Sequence, residues 1–257
     1  GFNMDFTSIA VEDWRRVQLV YVCSPGNPSG KVLGLDTWRM LFELSDKYGF
    51  VIASDECYSE IHFAENEADA PLGGLQAARQ LGRDDYRNLV MFSSLSKRSN
   101  VPGLRSGFVA GDAAIIKQFL LYRTYHGSAM SPAVQAASIA AWNDEEHVRE
   151  NRRLYREKFD RVTPLLAQYL DVARPDAGFY LWASVARYAA PGDTFFDMKF
   201  TRALQHQYNV SILPGSFLAR EAAGINPGAN FIRIALVADI AECIEAAQRI
   251  ADYCKTL

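Results

Sequence analysis

The chain has 257 residues, 49% of them hydrophobic and 22% charged, which is typical of a globular protein with a sizeable core. Its formal net charge of -3 gives no reason to expect nucleic acid or an anionic membrane as a partner. No apolar run approaches the roughly 20 residues that cross a bilayer, so we expect a soluble protein.

The cysteines and histidines are scattered and show no spacing typical of metal ligands, so no metal site is expected. Thiols in a reducing cytoplasm are favoured over disulfides, which predicts a cytoplasmic location. The residues concerned are Cys23, Cys57, Cys243, Cys254, His62, His126, His147 and His206.

The first part of the chain alternates short apolar runs with helical patterns, which indicates an α/β domain with a mainly parallel sheet. The runs are continuously apolar, as expected of strands buried on both faces. One helix is predicted after the first run, with Leu35 and Trp38 on its apolar face and an end near Gly49. The predicted strands are Val20–Cys23, Phe50–Ala53, Leu89–Phe92 and Phe108–Ala110.

After Pro132 the pattern becomes helical, with a long amphipathic helix from about Glu145. Three short strands and two further helices follow and predict a smaller α+β unit. We therefore predict a large domain over 1–158 and a small C-terminal domain over 159–257. The predicted strands of the small domain are Phe179–Trp182, Val210–Leu213 and Phe231–Ile234.

Polar clusters follow each of the first three predicted strands. They are residues 24–30, which read Ser-Pro-Gly-Asn-Pro-Ser-Gly, then 55–58 and 94–97. Ligands of open α/β sheets bind beyond the carboxyl ends of parallel strands. If these strands are parallel, the three clusters converge on one crevice.

The segment 93–108 reads Ser-Ser-Leu-Ser-Lys-Arg-Ser-Asn-Val-Pro-Gly-Leu-Arg-Ser-Gly-Phe and places Lys97 directly after a strand, with Arg105 eight residues later. A lysine can form a Schiff base, while hydroxyls and an arginine can hold a phosphate. That combination suits pyridoxal phosphate (PLP), which needs both an amine partner and an anion clamp. A basic surface loop would also contain Lys and Arg.

Taken together, these motifs resemble the class I/II aminotransferases, which are fold-type I PLP enzymes. The resemblance runs from Ser24 to the C-terminal helix, and the 93–108 segment is most similar to the succinyldiaminopimelate transaminases of bacterial lysine biosynthesis. It implies a PLP-binding large domain of mainly parallel sheet, here incomplete, beside a smaller α+β domain. It also implies transfer of an amino group between glutamate and an N-succinylated keto acid.

The resemblance implies roles for four residues around the cofactor ring. Lys97 matches the lysine that binds the cofactor and acts as catalytic base, and Asp55 matches the partner of the pyridine nitrogen. Tyr58 and Asn27 match the donors to the ring's phenolate oxygen, Asn27 also lying beside the substrate, with a cis peptide before Pro28. The plainer readings are an exposed lysine, a helix N-cap, a core aromatic and a turn residue.

Ser94 and Arg105 match phosphate contacts in the family, and Ser96 is carried over beside them. Ser106 departs from the small apolar residue usual after the arginine. Arg233 lies within an apolar predicted strand and matches the arginine that binds the substrate α-carboxylate. A structural salt bridge is the alternative for Arg233.

The resemblance also implies a homodimer, since 126–130 matches a region that approaches the neighbouring subunit's site. Family chains normally carry about 130 or more residues ahead of this sequence, by the usual size of a domain. We therefore expect the 257-residue chain alone to be inactive or poorly folded. Two other functions stay open: a different class I/II PLP enzyme, such as another amino-acid aminotransferase or a C–S lyase, and a non-catalytic binding scaffold.

Overall fold

The structure is a computed structural model that describes residues 4–66, 69–127 and 129–257. The chain divides into two compact units. Unit 1 comprises Gly1–Gly26 and Lys31–Arg152, and unit 2 comprises Asn27–Gly30 and Arg153–Leu257. The predicted domain boundary between 158 and 159 stays a prediction.

Unit 1 is built on a four-stranded sheet in the order β1-β2-β3-β4. β1 pairs with β2 and β2 with β3 in parallel, whereas β4 runs antiparallel to β3. The mainly parallel sheet that the alternating pattern predicts is therefore confirmed. The strands are β1 Leu19–Cys23, β2 Val51–Asp55, β3 Leu89–Ser94 and β4 Gly107–Gly111.

Helices connect these strands, and the predicted helix before Gly49 is confirmed as α2. Gly49 takes the left-handed φ of 80° that ends a helix, and its N–H donates to Ser45 O. The apolar face of α2 packs Trp38, Leu41 and Phe42 into the core of unit 1. The helices up to this unit's end are α1 Val11–Trp14, α2 Leu35–Tyr48, α3 Gly74–Gln80, α4 Leu95–Arg98, α5 Ala113–Tyr125, α6 Pro132–Asn143 and the start of α7 Glu146–Leu166.

One expectation for unit 1 is wrong, and one helix was not predicted. The outer strands are not buried on both faces, since Tyr21 of β1 is 59% exposed and Phe108 of β4 is 45% exposed. The helix α5 has no counterpart in the predicted pattern. Its apolar residues surround the helix instead of forming one stripe, and none of them is buried in this chain.

Unit 2 contains a three-stranded antiparallel sheet in the order β5-β7-β6, with the last part of α7 and two further helices. The α9 face that includes Cys243, Ala247 and Ile250 is buried, as its spacing predicts. Of the predicted strand Val210–Leu213, only Leu213 pairs as a strand, together with Pro214. The elements are β5 Tyr180–Ser184, α8 Phe196–Tyr208, β6 Leu213–Pro214, β7 Phe231–Ala235 and α9 Ile240–Cys254.

Across the three described ranges, no helix is both long enough and apolar enough to cross a membrane.

Candidate active site

The carboxyl ends of β1, β2 and β3 lie at one edge of the unit 1 sheet. In register, Cys23 is opposite Asp55, and Asp55 is opposite Phe92. The ladder continues past the strand ends, because Ser24 N donates to Asp55 O at 3.0 Å and Glu56 N donates to Phe92 O at 2.9 Å. The polar residues that follow these strands are therefore brought together at this edge, as the parallel order predicts.

Asp55 is the last residue of β2, and both of its carboxylate oxygens accept hydrogen bonds. The backbone N–H of Cys57 donates to Oδ1 at 3.1 Å, and the hydroxyl of Tyr21 donates to Oδ2 at 2.6 Å. The residues after it form a turn at 57–60, which includes Tyr58, and not a helix. Asp55 is thus a turn-forming carboxylate and not the helix N-cap of the plainer reading.

The hydrogen bond from Tyr21 to Asp55 was not predicted from the sequence, because a tyrosine within a strand is normally a packing residue. One signal does exist. Tyr21 and Cys23 are two residues apart and share a face of β1, and Cys23 is the register partner of Asp55.

The neighbours of Asp55 keep their protons at neutral pH. Burial, followed by the hydrogen bond to Asp55, raises the pKa of the Tyr21 phenol well above its usual range. Burial and a hydrogen bond with Asp55 also raise the pKa of the Cys57 thiol to about 12, opposed in part by the positive charge of Lys97. Lys97 therefore acts electrostatically on the same cluster as Asp55.

The adjacent acid, Glu56, belongs to a different environment. It is buried, its Oε1 accepts from Ser54 Oγ at 2.8 Å and from Gly74 N at 2.8 Å, and burial raises its pKa. Two consecutive carboxyl groups thus have different partners, and the half-buried Asp55 is the one at the strand edge.

Lys97 lies in α4, a single helical turn that starts directly after β3. Ser94 caps this turn, since its Oγ accepts from Ser96 N at 3.1 Å. The same hydroxyl donates to Ser106 O at 3.0 Å and lies 2.8 Å from Ser96 Oγ. The turn and its cap thereby place the hydroxyls of Ser94 and Ser96 and the half-buried Lys97 within four residues.

Residues 94–106, called the Lys97 segment below, are held to α6 by two buried side chains. Arg98 is 3% exposed; its Nη1 donates to Ala141 O at 2.8 Å, and its Cζ lies 4.9 Å from the centroid of the Trp142 ring. Arg98 also forms an ion pair with Glu145. At the other end, Ser138 Oγ donates to Ser106 Oγ at 2.7 Å.

Two further contacts join the Lys97 segment to the start of α7. Ser99 Oγ lies 2.9 Å from His147 Nε2, and Asn100 Nδ2 donates to Asn151 Oδ1 at 2.9 Å. Side chains of the segment that do not face the site therefore contact the neighbouring helices. The departure of Ser106 from the family pattern is explained by its hydrogen bond with Ser138.

Arg105 follows the segment's 3₁₀ turn in a left-handed conformation with φ 52°. It is exposed, and its Nη1 donates to Pro102 O at 2.8 Å. Because Ser94 is the register partner of Gly107, Arg105 comes just before the point where the antiparallel β4 meets the end of β3. Hydroxyls and a guanidinium on one segment are a donor set that fits a phosphate group.

Unit 2 brings together two further predicted site residues, Asn27 and Arg233. The Asn27–Pro28 peptide is cis as predicted, and the Ser24–Pro25 peptide is cis as well. Arg233 Nη1 donates to Asn27 Oδ1 at 2.8 Å, and the guanidinium lies 4.3 Å from the ring of Tyr180. The Nε of Arg233 is buried and has no hydrogen-bond partner within the described part of the chain.

The partners of Arg233 can be compared with the alternative prediction, which is a structural salt bridge. Asn27 and Tyr180 are both uncharged, and no carboxylate in the described ranges lies within ion-pair distance of Arg233. A buried donor that lacks an acceptor fits an anion that is bound from outside the chain.

The comparisons with known proteins show the family of this chain. The sequence pattern of the family described as aminotransferase class I and II matches residues 1–250, and the chain belongs to this family. Members of the family depend on PLP. The polar groups of Asp55 and of the Lys97 segment fit that cofactor. The Asp55 carboxylate can accept from a ring N–H, and the hydroxyls and the arginine of the segment can donate to a phosphate.

Three similar proteins are compared with this chain by their sequence identity and by the share of each chain that is covered. A crystal structure of an aminotransferase from Neisseria meningitidis is 60% identical with a TM-score of 0.90, covering 98% of this chain and 61% of that one. A probable N-succinyldiaminopimelate aminotransferase from Thermus thermophilus is 26% identical with a TM-score of 0.78, covering 96% and 62%. An LL-diaminopimelate aminotransferase of Nitratidesulfovibrio vulgaris is 31% identical, covering 97% of this chain and 60% of its own.

A probable aminotransferase of Mycobacterium tuberculosis is 34% identical over 86% of this chain. The chain spans about half of that relative (48%) and three fifths of the others. The roles of the individual site residues stay predictions.

Proposed function

We propose that the protein is a PLP-dependent aminotransferase in which unit 1 holds the cofactor. The observation that carries this proposal is the placement of Lys97, Ser94 and Asp55 at one edge of the unit 1 sheet, directly after β3 and at the end of β2. When bound, the cofactor supplies the electron sink for the charge that develops at the substrate α-carbon.

The residues of the chain have separate tasks in this proposal. The amine of Lys97 would bind the cofactor and, when released, would move a proton between the substrate α-carbon and the C4′ carbon of the cofactor. The carboxylate of Asp55 holds a proton on the ring nitrogen, and Tyr58 donates to the ring's phenolate oxygen. Ser94 and Arg105, with Ser96 beside them, bind the phosphate.

For unit 2 we propose that Arg233 binds the carboxylate of the amino-acid substrate. Support comes from its buried Nε, which has no hydrogen-bond partner among the described residues, and from its neutral partner Asn27. A guanidinium also offers a carboxylate a fork of donors. The bond from Nη1 to Asn27 Oδ1 fixes the orientation of that fork. Asn27 is proposed to contact both substrate and cofactor.

Attachment of the cofactor provides the test. The protein expressed from its complete gene is incubated with PLP, reduced with borohydride and mapped by mass spectrometry. We expect an adduct on the peptide that contains Lys97, its loss in Lys97→Ala and its persistence in the control variant Lys117→Ala. A reduced wild-type protein without an adduct at Lys97 would contradict the proposal and favour the non-catalytic scaffold.

The substrate is proposed from the relatives' names and from one loop. We propose an N-succinylated 2-amino-6-oxopimelate as amino acceptor and glutamate as donor, in lysine biosynthesis. The loop is residues 93–108. Its residues Arg98, Ser99, Asn100 and Ser106 contact α6 and α7, so their identity is explained by packing and does not bear on the substrate. The relatives named LL-diaminopimelate aminotransferase favour the unsuccinylated compound as second candidate.

Turnover with each substrate separates these candidates. N-succinyl-LL-diaminopimelate and free LL-diaminopimelate are each supplied with 2-oxoglutarate, and glutamate formation is measured. The proposal expects a higher kcat/KM for the succinylated compound. The reverse order supports the second candidate. If cystathionine is supplied instead, release of a thiol, ammonia and pyruvate without glutamate formation identifies a C–S lyase.

A cytoplasmic homodimer is proposed as well. It rests on the scattered thiols and on the family resemblance of residues 126–130, of which Ser128 lies outside the described residues. Light scattering of the complete gene product tests the dimer.

A further inference from the structure

Tyr21 of β1 contacts Asp55, the proposed partner of the cofactor's ring nitrogen. Its ring is 59% exposed, so it contributes little to the core, yet its hydroxyl donates to Asp55 Oδ2 at 2.6 Å. With Cys57 N on Oδ1 at 3.1 Å, each oxygen of the carboxylate has one donor. Two donors on different oxygens fix the plane of a carboxylate, which one donor alone does not do.

We propose that Tyr21 is a positioning residue, which orients the Asp55 carboxylate and stabilises its ionised form for the cofactor's ring nitrogen. This inference rests on the proposed function of Asp55. Tyr21 itself does not contact the cofactor in this proposal and acts only through Asp55.

The electrostatics of the cluster support the donor role. The phenol of Tyr21 and the thiol of Cys57 have raised pKa values and stay neutral at pH 7, so they add no negative charge beside Asp55. The adjacent Glu56 has its own partners, Ser54 and Gly74, and cannot replace Asp55 without losing them. Asp55 is therefore the carboxylate that Tyr21 can act on.

The experiment compares Tyr21→Phe with Tyr48→Phe, using protein expressed from its complete gene. Phenylalanine keeps the ring and removes only the hydroxyl. Tyr48 belongs to the same unit, and its ring stacks on Trp14 instead of reaching Asp55. The first readout is the chemical shift of the ¹³C-labelled Asp55 carboxyl carbon in cofactor-free protein at pH 7, which a merely structural role of Tyr21 would not move. The second is the Kd for PLP.

We expect Tyr21→Phe to move the resonance of the Asp55 carboxyl carbon, because Oδ2 loses the hydrogen bond from the phenol while the ring is kept. We also expect the Kd for PLP to rise about threefold to tenfold. The control variant should change neither. If wild type binds PLP at Lys97 but both readouts of Tyr21→Phe match the control, the positioning role is overturned and the proposed function stands. If wild type does not bind PLP at Lys97, both proposals fail.

Discussion

Replacement of Arg98 by methionine tests the attachment of the Lys97 segment to α6. The substitution keeps a long unbranched side chain but removes the hydrogen bond to Ala141 O, the ion pair with Glu145 and the stacking on Trp142. Arg98 is 3% exposed, so water does not replace these contacts on the arginine side.

The magnitude follows from the partners. Each hydrogen bond from a charged group contributes about 1.5–3 kcal/mol, and stacking on an aromatic ring adds about 0.5–1 kcal/mol. Against this, the Glu145 side chain is 54% exposed and is rehydrated, so it is not left as a buried charge. Methionine also recovers part of the packing. We expect Arg98→Met to lower the free energy of unfolding by about 3 kcal/mol.

Urea unfolding of the complete gene product, followed by fluorescence, measures this loss. The midpoint should fall while the slope of the transition stays unchanged. The matched control is Arg39→Met, because Arg39 pairs with Asp36 one helical turn away on an exposed surface. That pair is expected to contribute less than about 0.5 kcal/mol. A loss below about 1 kcal/mol for Arg98→Met, or one equal to the control, would refute the reasoning.

Three further outcomes are expected. Burial raises the pKa of Glu56 above its ordinary 4.5, so the folded wild type loses stability as the pH rises from 4.5 through that raised value; Glu56→Gln should abolish this loss in urea unfolding. Gly30→Ala should lower the free energy of unfolding by about 2 kcal/mol, because φ is +68° and the new Cβ would collide with the Ala177 carbonyl oxygen. With a pKa of about 12, Cys57 should react with iodoacetamide at pH 8 about a thousandfold more slowly than an ordinary thiol, and Asp55→Asn should speed the reaction.

Each of these has an outcome against it. If the free energies of unfolding of wild type and of Glu56→Gln change in parallel as the pH rises above 4.5, Glu56 ionises normally. Gly34→Ala is the control for Gly30→Ala, since a Cβ there meets nothing within 4 Å, and equal losses would exclude the collision. Alkylation of Cys57 at the rate of an ordinary thiol would contradict its raised pKa.

The parallel strands and α2 could be predicted because their signals are local. Continuous apolar runs followed by polar clusters indicate buried strands with a ligand edge, and one apolar stripe indicates a helix on the core. The helix α5 could not be predicted, because its apolar residues surround it and so give no periodic signal. Val210–Ile212 alternates apolar and polar residues as a strand does, yet only Leu213 and Pro214 pair with β7. Strand pairing depends on the neighbour, which a local pattern does not contain.

The same division applies to the candidate site. Lys97, Asp55 and the hydroxyl of Ser94 have recognisable positions after strands, so sequence reasoning reaches them. Tyr21 depends on the register between β1 and β2, and the partner of Ser106 is 32 residues away at Ser138. Such contacts between distant parts of the chain are set by the fold and leave no local spacing to read.

The contacts of the Lys97 segment also define what can be exchanged between relatives. A chimaera that replaced only residues 94–106 would bring a foreign arginine, serine and asparagine against helices that lack their partners. The smallest transplantable module of unit 1 therefore reaches from Ser94 to Asn151. It includes Ala141, Glu145 and the other residues that contact the Lys97 segment. Directed evolution of substrate preference would, by the same logic, succeed more often with libraries that leave this module intact and vary residues outside it.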